Sequence, residues 1–250
     1  MSALVLIHGA WHGAWCWRRV LPGLRAAGHG AHAVTLTGVG ERAHLLRPDL
    51  RLRDHIADVL GLIDAEELGD DLVLVGHSYG GLVMTGVADA LLARGLKPRH
   101  LVYVDAVTPH PGESWSSQHA PETVRARLEA AAQRPDGAMP PPDAAVFGLD
   151  GADRDWVNRR QTPQPAGVYP GPTGLRRRAH RHAAAHLHRL HRAGPADDRG
   201  DARAGTPRAW LASGRAGHWP RSDDQRARGA GDAAAGLHTL SRARRRAAPG

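Results

Sequence analysis

The sequence predicts an α/β fold in which helices cross over both faces of a parallel sheet. Short apolar runs alternate with segments of helical periodicity along residues 1–106, as is typical of parallel strands joined by helices. A Gly-x-Ser-x-Gly motif at 76–80 follows one of these runs and opens a helical segment. A second glycine-containing turn follows the first run. This order of strand, turn and helix predicts a reactive serine above the sheet.

The apolar runs and their flanking residues give approximate element boundaries. We expect strands at about 3–8, 31–37, 72–76 and 100–105, where β-branched and leucine residues dominate. Helices are expected at about 15–27, 52–65 and 81–95. Asp54 suits the first turn of the second helix, and Gly95 suits the end of the third.

Ser78 is the predicted nucleophile. The run LVLVG is too short for an independent helix and leads directly into HSYGG, so the serine falls on a tight turn between strand and helix. Only glycine fits the flanking positions of such a turn, which raises the serine hydroxyl above the sheet.

The turn after the first strand is the candidate oxyanion hole. Gly9 lets the backbone approach a substrate, so the amide of Ala10 can point toward a developing oxyanion, and the amide of Tyr79 would be the second donor. The alternative is an ordinary strand-to-helix turn with a tryptophan-rich packing cluster, but the serine motif favours the oxyanion hole.

These motifs together resemble the α/β-hydrolase superfamily, and within it the branch of plant methyl esterases, hydroxynitrile lyases and bacterial esterases. The likeness covers about residues 1–170 and rests on LIHGAWHGAWCW at 6–17, TGVGER at 37–42, GHSYGG at 76–81, DA at 105–106 and RRQTP at 159–163. It implies hydrolysis of a small carboxylic ester through an acyl-serine, without a cofactor or metal. It also implies that residues of about 107–167 form a lid, for which a surface insertion is the alternative.

The acid and the base of the triad each have a candidate in the sequence. Asp105 follows the strand after the nucleophile strand and is the candidate acid, with a turn or helix-capping role as the alternative. His218 is a weak candidate for the base. We expect His8, His12 and His77 to shape the backbone, and the histidines of 180–191 to be solvated rather than metal-binding.

Composition changes sharply after residue 170. The first 170 residues hold 16 Lys and Arg against 19 Asp and Glu, whereas residues 171–250 hold 17 Arg against 6 Asp. The tail has six leucines and two tryptophans as its large apolar residues, and no valine or isoleucine. We therefore expect it to lack the two late strands of the fold and to be disordered.

A change of reading frame would explain this tail. With permissible codons, reading one base later turns the segment from Gly217 into ATGHDPMI, which resembles the family's segment with the catalytic histidine. The same offset permits FDAARI from Leu175, RTFIDCTAP from Ala185 and MISAPEELATLLLA from Asp224. We hypothesise a frame change between about Tyr169 and Leu175.

The remaining features limit the function classes. The basic excess lies only in the tail, which has few aromatic residues, so a nucleic-acid partner is not expected. No apolar run reaches the length of a membrane span. The first strand begins too early for a signal segment, and the single cysteine, Cys16, is expected to be packed and inert, so we expect a cytoplasmic location.

A small-molecule ester is the expected partner. We expect Trp11, Trp15 and Trp17 to form a tryptophan-rich entrance, which suits an apolar or aromatic ester. The alternatives are a catalytically impaired product or pseudoenzyme that has lost its histidine segment, and a hydroxynitrile lyase. The only lysine, Lys97, precedes a strand and does not match the cyanide-handling lysine of those lyases.

Overall fold

The computed structural model describes residues 2–69, 71–171 and 184–188, and the fold is built on one parallel sheet. The strands lie in the order β2-β1-β3-β4-β7, with every neighbouring pair parallel. Their bounds are β1 Ala3–Ile7, β2 Gly30–Val34, β3 Leu72–His77, β4 His100–Val104 and β7 Ala184–His188. The first four strands are those that the apolar runs predict. The α/β-hydrolase type of architecture is thereby confirmed for this part of the chain.

Three helices connect the strands and cover the two faces of the sheet. They are α1 Leu21–Ala26, α2 Leu52–Ala65 and α3 Gly80–Ala93. Alternate strand residues point to opposite faces. Val5, Ile7 and Leu74 pack with side chains of α2 and α3, whereas Leu6 and Val75 pack with Leu24 of α1. The sheet is therefore buried on both sides.

The boundaries of the helices differ in detail from those expected. The predicted helix at 15–27 is divided into a 3-10 turn at Ala14–Trp17 and the short α1, because Pro22 fits only the first turn of a new helix. Helix α2 has the expected bounds, and the Asp54 carboxylate accepts a hydrogen bond from the Arg51 amide at 2.7 Å. Gly95 follows the end of α3 with φ +80°, as its C-cap assignment predicts.

The segment of 107–167 adds elements that pack beside the sheet. These are 3-10 turns at Ser116–Gln118, Ala144–Phe147 and Ala166–Val168, helices α4 Pro121–Ala132 and α5 Gly151–Asn158, and a two-stranded antiparallel pair, β5 Ala138–Met139 and β6 Gln164–Pro165. We refer to residues 107–167 as the insertion.

Strand β7 corrects one expectation from the sequence. Residues 171–250 were expected to lack the two late strands of the sheet, yet one strand, Ala184–His188, pairs in parallel with β4. Strand pairing satisfies backbone N–H and C=O groups along the open side of β4, and this needs no valine or isoleucine. The other late strand and the expected disorder concern residues outside the described ranges. None of the helices described combines the length and apolar character that a membrane crossing requires.

Candidate active site

Ser78 lies on the turn between β3 and α3, at the edge of the sheet where the strands end. Its φ is +50°, and it is partly exposed between the buried His77 and Tyr79. A Cβ atom on Gly80 would lie 2.6 Å from the Ile7 carbonyl oxygen, and one on Gly76 would lie 2.7 Å from the Gly80 oxygen. The turn therefore requires these two glycines, and it holds Ser78 in a strained conformation.

The chain after β4 is hydrogen-bonded to Ser78 on both sides of Asp105. The Ser78 amide donates to the Val104 carbonyl at 3.4 Å, and the Val107 amide donates to the Ser78 carbonyl at 3.0 Å. Asp105 lies between these contacts, directly after β4, with φ +41°. The structure thus brings Ser78 and Asp105 to the same edge of the sheet.

The turn after β1 lies beside Ser78. A Cβ atom on Gly9 would stand 3.2 Å from the Ser78 Cβ and 2.9 Å from the His77 Nδ1. Ala10 follows and is 3 % exposed. Glycine at position 9 therefore permits the close approach of this turn to Ser78.

Tyr79 is anchored by a buried polar chain. Its hydroxyl donates to His55 Nδ1 at 2.9 Å, and His55 Nε2 donates to the Thr37 carbonyl at 2.9 Å. The Thr37 amide and hydroxyl both donate to the Asp58 carboxylate, at 2.6 and 2.7 Å. Arg42 bonds to Asp58 at 2.9 Å. Burial lowers the pKa of His55 and raises that of Tyr79, so both side chains are neutral.

Three further histidines surround the turn after β1 and are neutral because they are buried. Burial lowers the pKa of His8 to about 3, of His12 to about 4 and of His77 to about 3. His8 Nδ1 donates to the Gly9 carbonyl at 2.7 Å, while its Nε2 accepts from the Leu36 amide at 3.1 Å. His12 Nδ1 donates to the Ala10 carbonyl at 2.6 Å. His8 and His12 therefore hold the backbone of this turn, in agreement with the role expected for them.

Aromatic side chains of the insertion pack against the site. The Trp115 ring lies 4.9 Å from the Tyr79 ring and 5.7 Å from the Trp11 ring, measured between centroids. The Tyr169 ring also lies 4.9 Å from Trp115, and the Arg127 guanidinium lies 5.5 Å from the Trp11 ring centre. Trp115 of the insertion therefore packs against Tyr79, one candidate oxyanion donor, and against Trp11, which follows the other.

Several candidates from the sequence lie away from this edge. Cys16 is buried, so the expectation of a packed thiol is confirmed, and burial also raises its pKa. Trp17 is fully buried in the core beside Cys16, so its expected place at a substrate entrance is wrong. Lys97 precedes β4 and lies at the opposite edge of the parallel sheet from Ser78, which argues against a role at this site.

The remaining sequence-based assignments fall on residues outside the described ranges. They include His218, and His180, His182 and His191 of the tail cluster. No group of three potential metal ligands occurs within 2–69, 71–171 and 184–188.

Sequence reasoning missed three residues of the site: His55, Trp115 and Gln164. Each reaches the site through contacts between distant parts of the chain. Gln164, for example, bonds to the Trp11 amide 153 residues away. A buried glutamine cannot be distinguished from an exposed one by its local sequence.

Comparison with known proteins gives independent evidence about the family of this chain. Residues 4–236 match the model of the alpha/beta hydrolase family. The carbendazim hydrolyzing esterase of Nocardioides sp. (strain SG-4G) is 47% identical over 180 residues, covering 69% of this chain and 73% of that protein. Methyl jasmonate esterase 1 of Vitis vinifera is 30% identical over 148 residues, and the match spans 57% of this chain and 55% of the esterase.

A solved structure is similar to the fold as well. It is an extracellular alpha/beta-hydrolase from a Paenibacillus species, with a TM-score of 0.63 and 23% identity. The similarity covers 70% of this chain and 72% of that protein.

Proposed function

The chain belongs to the alpha/beta hydrolase family, and on that premise we propose that it hydrolyses small carboxylic esters through an acyl-serine formed on Ser78. The observation that carries this proposal is the position of Ser78 on a strained turn at the end of β3, partly exposed, with φ +50°. The identity of 47% with an esterase supports the ester as the substrate class.

In the proposed reaction the Ser78 Oγ attacks the ester carbonyl carbon while a base takes the hydroxyl proton. The carbonyl π bond breaks and its electron pair moves to the oxygen, where the amides of Ala10 and Tyr79 stabilise the negative charge. Collapse of this intermediate expels the alcohol, which receives the proton. Water then hydrolyses the acyl-serine in the same way, so the carboxylic acid leaves and the Ser78 hydroxyl is restored.

The general base is proposed to come from beyond the insertion. A base works best with a pKa near the working pH. His8, His12 and His77 are unsuitable because burial lowers their pKa to about 3, 4 and 3. We assign the acid of the triad to Asp105. The base is assigned to the histidine of the Gly-His segment that translation one base later would produce near residue 218.

The domain organisation follows from the same proposal. Residues 1–170 form the hydrolase domain, with the insertion acting as a lid over the site, and residues 171–250 are out-of-frame sequence. The packing of Trp115 on Tyr79 and Trp11 supports the lid. No membrane, nucleic-acid or cofactor requirement enters this function.

Hydrolysis of p-nitrophenyl acetate and of carbendazim tests the proposal, measured with the full chain and with the protein whose reading frame is restored by one nucleotide. We expect Ser78→Ala to abolish all turnover above that of buffer, because no other group would form the acyl-enzyme. Ser116→Ala is the matched control, since this hydroxyl bonds to Ser114 in the insertion, and it should retain the parent rate. If the frame-restored parent turns over either ester above the buffer rate and its Ser78→Ala variant retains that rate, the assignment of the nucleophile is refuted.

A further inference from the structure

Trp11, the residue after Ala10, is held in a strained conformation by the insertion. Its φ is +63°, a value that non-glycine residues rarely adopt. Its amide donates to Gln164 Oε1 at 2.9 Å, its carbonyl accepts from the Thr162 amide at 3.0 Å, and its indole Nε1 donates to the Met139 carbonyl at 3.2 Å. Such strain persists where surrounding contacts fix the residue, and it is concentrated at binding and catalytic sites.

The contact with Trp11 also fixes the orientation of the Gln164 side-chain amide. A backbone N–H can bond only to the oxygen of that group, so Oε1 faces Trp11 and the Nε2 group points away from it. Gln164 is 1 % exposed, and its Nε2 is buried without a hydrogen-bond partner among the described residues. Buried donors are nearly always bonded, so this one calls for an acceptor.

The position of Gln164 beside the turn after β1 indicates which kind of acceptor its Nε2 group would bond to. The Trp11 amide nitrogen is three covalent bonds from the Ala10 amide nitrogen, and Gly9 of the same turn lies against Ser78. Gln164 therefore lies one residue from a candidate oxyanion donor, beside the turn that approaches Ser78.

We propose that Gln164 is a substrate-binding residue whose Nε2 donates a hydrogen bond to a second acceptor atom of the ester, besides its scissile carbonyl. The site would then favour esters with an oxygen or nitrogen acceptor near the reacting group over purely hydrocarbon ones. This inference rests on the ester hydrolase function proposed above, and it names the substrate class of the same site.

Binding to the full chain with Ser78→Ala tests the inference without any turnover. Two pairs of ligands differ only by exchange of a methylene for an ether oxygen: benzyl butyrate and benzyl methoxyacetate on the acyl side, butyl benzoate and 2-methoxyethyl benzoate on the alcohol side. Isothermal titration calorimetry gives the ratio of the dissociation constants within each pair.

We expect the protein to prefer the ether in one pair, and Gln164→Met to reduce that preference by about three- to tenfold, the value of one neutral hydrogen bond. Gln164→Glu keeps an acceptor for the Trp11 amide and, when ionised, has no donor, so titration at a pH above the pKa of the new carboxyl should also show a reduced preference. If Gln164→Met does not fold, the preference measured with Gln164→Glu tests the proposal in its place.

Gln161→Met is the matched control, because the Gln161 Nε2 is also buried without a partner in the described part of the chain. It should leave the preference unchanged. An unchanged preference in both Gln164 variants, or an equal loss in Gln161→Met, would overturn the proposal. Loss of Ser78-dependent turnover alone would count against the proposed reaction but not against this binding role.

Discussion

Among single residues, three of the five described non-glycine residues with positive φ lie at the site, whereas the other two, Glu67 and Asp71, lie in the loop before β3. Trp11, Ser78 and Asp105 have φ of +63°, +50° and +41°, and each follows the end of a parallel strand. Left-handed conformations of non-glycine residues cost about 1–3 kcal/mol each, so surrounding contacts must hold them. The three residues share one edge of the sheet, where open α/β sheets place their ligands.

The Tyr79 hydroxyl gives a prediction about stability. Tyr79→Phe leaves His55 Nδ1 as a buried acceptor without its partner, which should lower the free energy of unfolding by about 1–3 kcal/mol. Tyr103→Phe is the control. Its hydroxyl bonds to Thr85, which keeps its own bond to the Gly81 carbonyl at 2.7 Å, so a smaller loss of about 0.5–1.5 kcal/mol is expected. Urea unfolding measures both, and an equal or smaller loss for Tyr79→Phe would contradict the role of His55.

The buried histidines predict how stability depends on pH. Their folded pKa values, about 3, 4 and 3 for His8, His12 and His77, lie below the ordinary value of 6.5. Between the folded pKa values and 6.5, the unfolded chain therefore binds more protons than the folded one. The free energy of unfolding is highest above pH 6.5 and falls as the pH drops below it. Each histidine adds a slope of up to about 1.4 kcal/mol per pH unit.

Urea unfolding from about pH 7.5 to about pH 5 measures this slope. His12→Phe should reduce it by the contribution of about one proton. The interpretation fails if the free energy of unfolding is constant over this range, or if His12→Phe leaves the slope unchanged.

At the scale of elements, close contacts between backbones determine where glycine is required. In α3, a Cβ atom on Gly80 would meet the carbonyl oxygens of Ile7 and His8 at 2.6 and 2.7 Å. In α2, no atom lies within 4 Å of a Cβ placed on Gly61. Helix α3 is thus docked tightly against β1 at the turn of Ser78, whereas Gly61 of α2 is exposed to solvent.

Alanine at these two positions should have opposite effects. Gly61→Ala should raise the free energy of unfolding by about 0.5–1 kcal/mol, because alanine has the higher helix propensity. Gly80→Ala should destabilise the protein by several times that amount, since the backbone of β1 must move, as overpacking alone costs about 1–3 kcal/mol. Thermal unfolding of both variants gives the comparison, and a neutral Gly80→Ala would show that the turn can relax.

For the whole molecule, the decisive question is how the tail completes the hydrolase domain. Strand β7, at Ala184–His188, overlaps the segment from Ala185 that reading one base later would turn into RTFIDCTAP. The parallel pairing with β4 therefore occurs where the frame hypothesis places a late strand of the family. The hypothesis itself remains a prediction, which the coding DNA can test directly.

Restoring the frame by one nucleotide should raise p-nitrophenyl ester turnover by about 10²–10⁴, the contribution of a positioned general base. The proposed nucleophile and oxyanion donors precede the hypothetical frame change, and the proposed base follows it. Both proteins should be purified and their folding checked before the rates are compared. Equal rates, together with loss of activity in His218→Ala of the original chain, would identify His218 as the base and refute the frame argument.

The sequence by itself determined the four central strands, the helices that follow them and the turn at Ser78. Continuous apolar runs specify buried parallel strands. Gly76 and Gly80 specify a turn so tight that no side chain fits at either position. These are local steric and burial constraints, so each can be recognised within a few residues.

Only the tertiary structure decided which distant residues meet at the site. The bonds from Trp11 to Gln164 and from Tyr79 to His55 join segments 153 and 24 residues apart. The tertiary structure also added β7, whose pairing depends on the open side of β4 rather than on its own composition. Such contacts depend on how elements pack, and the same glutamine, histidine or strand edge has no recognisable signal in the local sequence.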